Sequence, residues 1–258
     1  MTFQSYYRAN VTWVDDRIPR LDLIADMVVS FAPARVLDLG CGRGQLIKML
    51  VARHGAEYTG LDAAPAVKTA GWAYVCGDLT AELPFADGVF DLVVAGEVIE
   101  HVPHPDDLLR QIRRVLSPGG HLVISTPNLV CWANRVLVPL GVQPLFTETS
   151  SEVALGRRAR ILGQGNVVQG HLKVFTSRSL QEILEREGFD VHQRSGVSFA
   201  FPPPLSIVDR LMARRVSWAS GLVYVATKAM GDPVREPARV ARPIPTSRPR
   251  GWPVRRRR

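Results

Sequence analysis

The sequence predicts an α/β fold, a Rossmann-like doubly wound sheet, and three observations carry that prediction. The first is Val36-Leu-Asp-Leu-Gly-Cys-Gly-Arg-Gly-Gln-Leu46, an apolar strand that runs into a glycine turn and then into helical apolar spacing. The second is the alternation of short apolar runs with helical stretches across residues 34–230, the pattern of strands linked by crossover helices. The third is the placing of acids, Asp62 and Asp78, at or just past the ends of two of those runs, where open parallel sheets gather ligand groups.

In chain order, residues 1–33 form an N-terminal segment with a helix expected around Arg17 to Phe31, and Arg35 to Leu39 form the first strand. Gly40, Gly42 and Gly44 then leave three nearby positions without a Cβ, and Gln45 to Val51 continue as a helix. A nucleotide-like ligand can approach such a backbone closely and face the N–H groups and positive dipole end of the helix. The spacing is Gly-x-Gly-x-Gly rather than the Gly-x-Gly-x-x-Gly of dinucleotide folds, whose turn holds a pyrophosphate. This cradle suits the carboxylate and amine of an amino-acid tail, with Asp38 a nearby acidic partner and Cys41 lining the turn.

Glu57 to Asp62 read as the second strand, and Asp62 stands about 20 residues beyond the glycines, where a carboxylate can accept both ribose hydroxyl protons. NAD-binding folds place an acid similarly, so Asp62 does not choose between the two ligands. Ala73-Tyr-Val-Cys-Gly-Asp78-Leu79 supplies the third strand with an acid just past its end, and the apolar run ending at Ala95 supplies the fourth. Gly96-Glu-Val-Ile-Glu-His101 follows, then a helix from Pro105 to Leu116, a Ser-Pro-Gly-Gly120 turn and a strand from His121 to Ser125. Late in the chain, Leu180, Ile183 and Leu184 mark a helix over Ser177 to Glu187 that Gly188 stops. Phe189 to Val197 and Gly221 to Lys228 complete seven strand candidates.

The glycine turn, Asp62, Asp78 and the Gly-Glu-Val-Ile-Glu-His101 run together resemble the class I S-adenosylmethionine-dependent methyltransferases, motif by motif over residues 34–128 and more loosely to about 228. The resemblance implies a mostly parallel sheet of seven strands with one antiparallel strand, S-adenosyl-L-methionine as cofactor, and a small-molecule acceptor methylated at oxygen. It assigns Asp78 to the adenine amino group and Leu79 to the ring, although Asp78 also fits a turn residue after a strand. With Asp38, Gly40, Cys41, Gly42, Gly44 and Asp62, Glu97 is placed at the cofactor pocket. Gly170-His-Leu-Lys-Val-Phe-Thr-Ser177 is similar to a stretch of small-molecule methyltransferases, including some of glycan and quinone pathways, which would turn His171 toward the pocket.

The long connection 126–176 is expected to fold as a helical cap over the site, with a helix near Leu129 to Leu140, because structureless links of that length are unusual in a compact domain. Its arginines Arg157, Arg158 and Arg160 could clamp an anionic or amphipathic substrate or simply form a solvated face. His101 and His171 are the candidate general bases for removing a proton from the acceptor, each also compatible with a structural hydrogen bond. Glu97, Glu100 and His101, at i, i+3 and i+4, would share one helical face, and ubiquinone-pathway O-methyltransferases carry a similar Glu-Val-x-Glu-His stretch. Together they could present two carboxylates and an imidazole to a divalent ion; that alternative stays open, and no metal is assigned.

Composition fits an enzyme core: 46% of residues are hydrophobic, and no apolar run approaches the ~18 residues of a membrane span. No secretory signal pattern opens the chain, so the cytoplasm is expected. The three cysteines lack metal-knuckle spacing, and Cys76 and Cys131 read as small buried residues. The net charge of +8 sits mostly in the C-terminal tail: residues 231–258 hold nine arginines and two acids, leaving 23 basic and 22 acidic residues elsewhere. With six prolines, that tail is expected to be a disordered appendage, either solubilising or touching an anionic surface or nucleic acid. An RNA or protein methyltransferase using the tail, and a non-catalytic cofactor-binding regulator, are the rival readings. Oligomeric state is left open.

Overall fold

The computed structural model describes residues 19–64, 69–153, 155–156, 168–199 and 201–231. The basic tail and the Arg157, Arg158 and Arg160 cluster lie outside the described residues. Helix α1 (Pro19–Ser30) precedes β1 (Arg35–Leu39), α2 (Gln45–Val51), β2 (Glu57–Asp62), β3 (Ala73–Cys76) and β4 (Phe90–Gly96). After a short 3₁₀ turn (Ile99–His101) come α3 (Pro105–Val115), β5 (Leu116–Pro127), α4 (Trp132–Leu137), α5 (Ser177–Arg186), β6 (Phe189–Val197), α6 (Leu205–Met212) and β7 (Gly221–Lys228).

The seven strands form one sheet in the order β3-β2-β1-β4-β5-β7-β6. Strands β1 to β5 pair in parallel, and β7 runs antiparallel to both neighbours. The strand order reverses between β1 and β4, which opens a crevice at their carboxyl ends. Sequence expectation and structure differ at β5. Leu116 already pairs with Phe90, and the ladder resumes at Leu92 and His121, so the expected Ser-Pro-Gly-Gly turn is a bulge inside the strand.

Alternating side chains divide the core between the two faces of the sheet. Leu37, Leu39, Val93, Ala95 and Ile124 pack with Leu108, Ile112, Leu180 and Leu184 of α3 and α5. Val36, Val94, Val123 and Val225 pack on the other face with Ile24 and Val28 of α1 and Ile47 and Leu50 of α2. α1 is therefore part of the doubly wound fold. A Thr176–Ser179 capping box starts α5, a signal the apolar spacing alone does not contain.

In the 126–176 connection Cys131, Ala133, Leu137, Leu145 and Phe146 form a small core that Phe201, from beyond β6, completes. The expected Leu129–Leu140 helix is shorter, running from Trp132 to Leu137 and tightening into a 3₁₀ turn at Val138–Leu140. The Asn128 side chain accepts from Val130 N–H, which shapes a turn before the helix begins.

Candidate active site

The glycine turn closes on the end of β2. Gly40 and Cys41 N–H groups donate to the Leu61 carbonyl at 2.8 and 3.2 Å, and Gly42 N–H donates to Asp62 Oδ2 at 2.8 Å. Gly40 has φ +68° and Gly44 φ +72°, left-handed values that L side chains adopt only with strain. A Cβ on Gly40 would stand 2.6 Å from Val98 Cγ2, and one on Gly44 would run into the Trp72 ring. The turn is thus wedged against Val98 on one side and Trp72 on the other. That contact also makes it a neighbour of the 97–101 segment.

Asp62 spends one lone pair of each oxygen on the backbone, since Oδ1 accepts from Ala64 N–H at 2.9 Å. The carboxylate retains acceptor capacity on both oxygens. Asp38 lies inside β1, buried, and burial together with the nearby Asp62 charge pushes its carboxyl up to about 8. Burial raises the Cys41 thiol as well, with Asp38 and Asp62 adding to the effect, so the thiolate is disfavoured. Asp78 Oδ1 accepts from Thr80 N–H and Oγ1–H at 2.8 and 2.7 Å, a turn of its own that leaves Oδ2 unused by it. Leu79 is half-buried against the sheet core.

The 97–101 segment does not form the helical face that its spacing suggests. Glu97 has φ +56° and lies before the 3₁₀ turn, so it does not share a face with Glu100 and His101. Its Oε1 accepts from Ser125 Oγ at 2.9 Å and pairs with Arg20 at 2.8 Å, tying the end of β4 to β5 and α1. Nothing in the spacing of the sequence joins Arg20 to Glu97, which stand 77 positions apart.

His171 takes the place beside Glu100 and His101 that the helical reading gave to Glu97. The ligand atoms of the three lie within 4.8 Å of one another, and the two imidazole centroids are 4.9 Å apart. His101 Nδ1 bonds the Gly170 carbonyl at 3.2 Å, and His171 Nδ1 bonds the Phe146 carbonyl at 2.8 Å. A carbonyl can only accept, so both rings carry a proton on Nδ1, and in the neutral tautomer Nε2 is the acceptor. The loop bearing His171 is held by Glu148, whose Oε2 accepts from the N–H groups of Gly170 at 2.8 Å and His171 at 3.2 Å.

Glu100 is fully buried. Oε2 accepts from Thr126 Oγ1 at 2.9 Å, while Oε1 stands 3.8 Å from His101 Nε2 and, among the described residues, has no hydrogen-bond partner. Burial and the Glu97 charge raise its carboxyl well above the ordinary range. His101 moves the other way, to about 4, through burial and the neighbouring His171. Its imidazole is neutral at any pH well above that value.

Comparison with known proteins agrees with this architecture. The family described as "Methyltransferase domain" matches residues 13–194. The trans-aconitate 2-methyltransferase of Methylobacterium nodulans is 34% identical over 154 residues, 56% of this chain and 58% of that protein. The ubiquinone biosynthesis O-methyltransferase of Chromobacterium violaceum is 36% identical over 169 residues, 57% of this chain and 70% of that protein. The fold also matches the crystal structure of N-methyltransferase NodS from Bradyrhizobium japonicum WM9, with TM-score 0.56 and 17% identity over 88% of this chain and 98% of that one.

Proposed function

From the premise that the chain belongs to the class I S-adenosylmethionine-dependent methyltransferases, we propose that it methylates an oxygen of a small-molecule acceptor. The observation that supports this reading is the adjacency, through Val98, of a glycine turn with acids around it and a paired-imidazole cluster whose Nδ1 atoms are both held by backbone carbonyls. S-adenosyl-L-methionine supplies an electrophilic methyl group on a sulfonium. The turn and the acids fit such a ligand in donor chemistry: backbone N–H groups for a carboxylate, acids for an amine and ribose hydroxyls.

In this reading Asp62 and the turn hold the cofactor's ribose and amino-acid ends, with Asp38 the acid nearest them. Asp78 and Leu79 take the adenine. Glu97, fixed by Arg20 and Ser125, braces the pocket wall. His171 Nε2 accepts the acceptor's hydroxyl proton, and the cap carrying Phe146 shields the reacting centre from water. His101, which burial and its neighbour hold near 4, is a poor proton acceptor. The test is a metabolite screen with methyl-labelled cofactor. Label found only on nitrogen or carbon products would overturn the oxygen assignment while leaving the family in place.

Two predictions belong to the cofactor end. Asp62→Ala should weaken binding of S-adenosylhomocysteine by about 1.5–3 kcal/mol in calorimetry, the worth of charge-assisted hydrogen bonds to the hydroxyls. Unchanged affinity would remove Asp62 from the pocket. Asp38 gives a pH signature. Its carboxyl, raised from 3.8 to about 8, is neutral at pH 7, and a cationic ligand beside it favours the ionised form, so binding releases a proton and tightens as pH rises toward about 8. For the unliganded fold the sign is opposite: Asp38's contribution is fully present below 3.8 and is lost as pH rises through about 8. Calorimetry at pH 7 in buffers of different ionisation enthalpy reads the proton directly, and a buffer-independent heat would refute the assignment.

A further inference from the structure

α6 faces the wrong way for an ordinary surface helix. Its buried side chain is Asp209, whereas Ile207 is 62% exposed and Leu211 53% exposed, with Val208 exposed beside them. A helix packed on a core turns its apolar stripe inward. The inversion is held in place by Asp209, which accepts from Trp132 Nε1–H and Phe199 N–H, both at 2.7 Å, and from the Ser220 hydroxyl. Beyond the helix, Trp218 is exposed and lies under the Arg135 guanidinium, 4.7 Å from the ring centroid. α4 and the following 3₁₀ turn add exposed Val136, Val138 and Leu140, the last 70% exposed.

The exposed charge on these segments has one sign. Arg210, Arg214 and Arg215 are exposed, as is Arg135. Residues 126–147 contain no acid, and in residues 199–230 the sole acid is the buried Asp209. A second copy docking through the same face would set arginine against arginine with no carboxylate of these segments to pair. A nucleic acid would satisfy the arginines but offer no apolar phase for Ile207, Leu211 and Leu140. An anionic bilayer offers both, acyl chains for the apolar side chains and phosphates for the guanidinium groups.

We propose that α6, Trp218 and the Val136–Leu140 edge form a docking face for the surface of an anionic membrane. The proposal stands on this face alone and does not depend on which atom the enzyme methylates. The experiment is sedimentation of the full-length protein with vesicles of phosphatidylglycerol and phosphatidylcholine, beside pure phosphatidylcholine vesicles. The wild-type protein should partition onto the anionic vesicles, and Ile207→Asp with Leu211→Asp should lower the partition coefficient about tenfold. Arg214→Ala with Arg215→Ala should lower it as well, with a shallower salt dependence. Because the C-terminal arginines could also attract such vesicles, lipids brominated on the acyl chain supply a readout of this face. They should quench tryptophan emission in the wild type and quench less in Trp218→Phe. Equal sedimentation of the Ile207→Asp, Leu211→Asp protein, or bromine quenching that Trp218→Phe leaves unchanged, would overturn the proposal. So would a concentration-dependent dimer abolished by the double variant, which would assign the face to a second copy. A fall in its melting temperature without wild-type vesicle binding would assign the face to packing by the protein's own chain.

Discussion

His171→Gln should lower turnover by about 10²- to 10⁴-fold while leaving affinity for S-adenosylhomocysteine unchanged. The wild-type imidazole is fixed by the Phe146 carbonyl, and its loop by Glu148, so Nε2 is presented in one orientation. Gln can keep the hydrogen bond to that carbonyl but has no atom basic enough to take a proton. His101→Gln should cost less, because a group held near 4 is a poor proton acceptor. The same value fixes a pH limit: His101 contributes no change in rate from about pH 5.5 upward, and a loss sets in as pH falls through about 4. Single-turnover measurements separate this from product release. Full activity in both variants would mean that catalysis rests on proximity and that the acceptor arrives already ionised.

Asp209→Ala should destabilise the protein by about 3–5 kcal/mol in urea denaturation, the range for removing one member of a buried polar network. Three donors, the Trp132 indole, the Phe199 amide and the Ser220 hydroxyl, lose their acceptor at once, and each unsatisfied buried donor costs about 1–3 kcal/mol. Asp209→Asn should cost less, since one amide oxygen can still serve part of the set. Asp209 links α6, α4 and the entry to β7, so the loss should also expose the cap core. Limited proteolysis would then cut first within residues 129–147. A loss below about 1 kcal/mol would show that water replaces the carboxylate and that the inverted helix is held by something else.

Much of the fold is legible in the order of residues alone. The seven strands, the helices after β1 and β4 and the late α5 follow from apolar periodicity, because burial on one or both faces of a sheet dictates which residue types can occupy those runs. The clustering of the motifs is legible for a similar reason: the turn, Asp62 and Asp78 each stand at or just past the end of a strand, so parallel pairing of those strands brings them to one edge of the sheet.

What the sequence by itself determined is therefore the sheet, the motifs gathered at its carboxyl edge and the family. The tertiary structure decided which residues meet at the 97–101 segment. Glu97, Glu100 and His101 look like one helical face in the sequence, yet the positive φ of Glu97 turns its carboxylate to Arg20 and Ser125, and His171 arrives from 70 residues away to complete the cluster. Asp209 is equally silent in the sequence, one acid in an otherwise amphipathic helix, until three donors from distant segments converge on it. Periodicity records which groups avoid water along one local axis. It carries no record of which polar groups meet across the cap, because those contacts are fixed by loop paths and by the need of every buried donor and acceptor to find a partner anywhere in the chain.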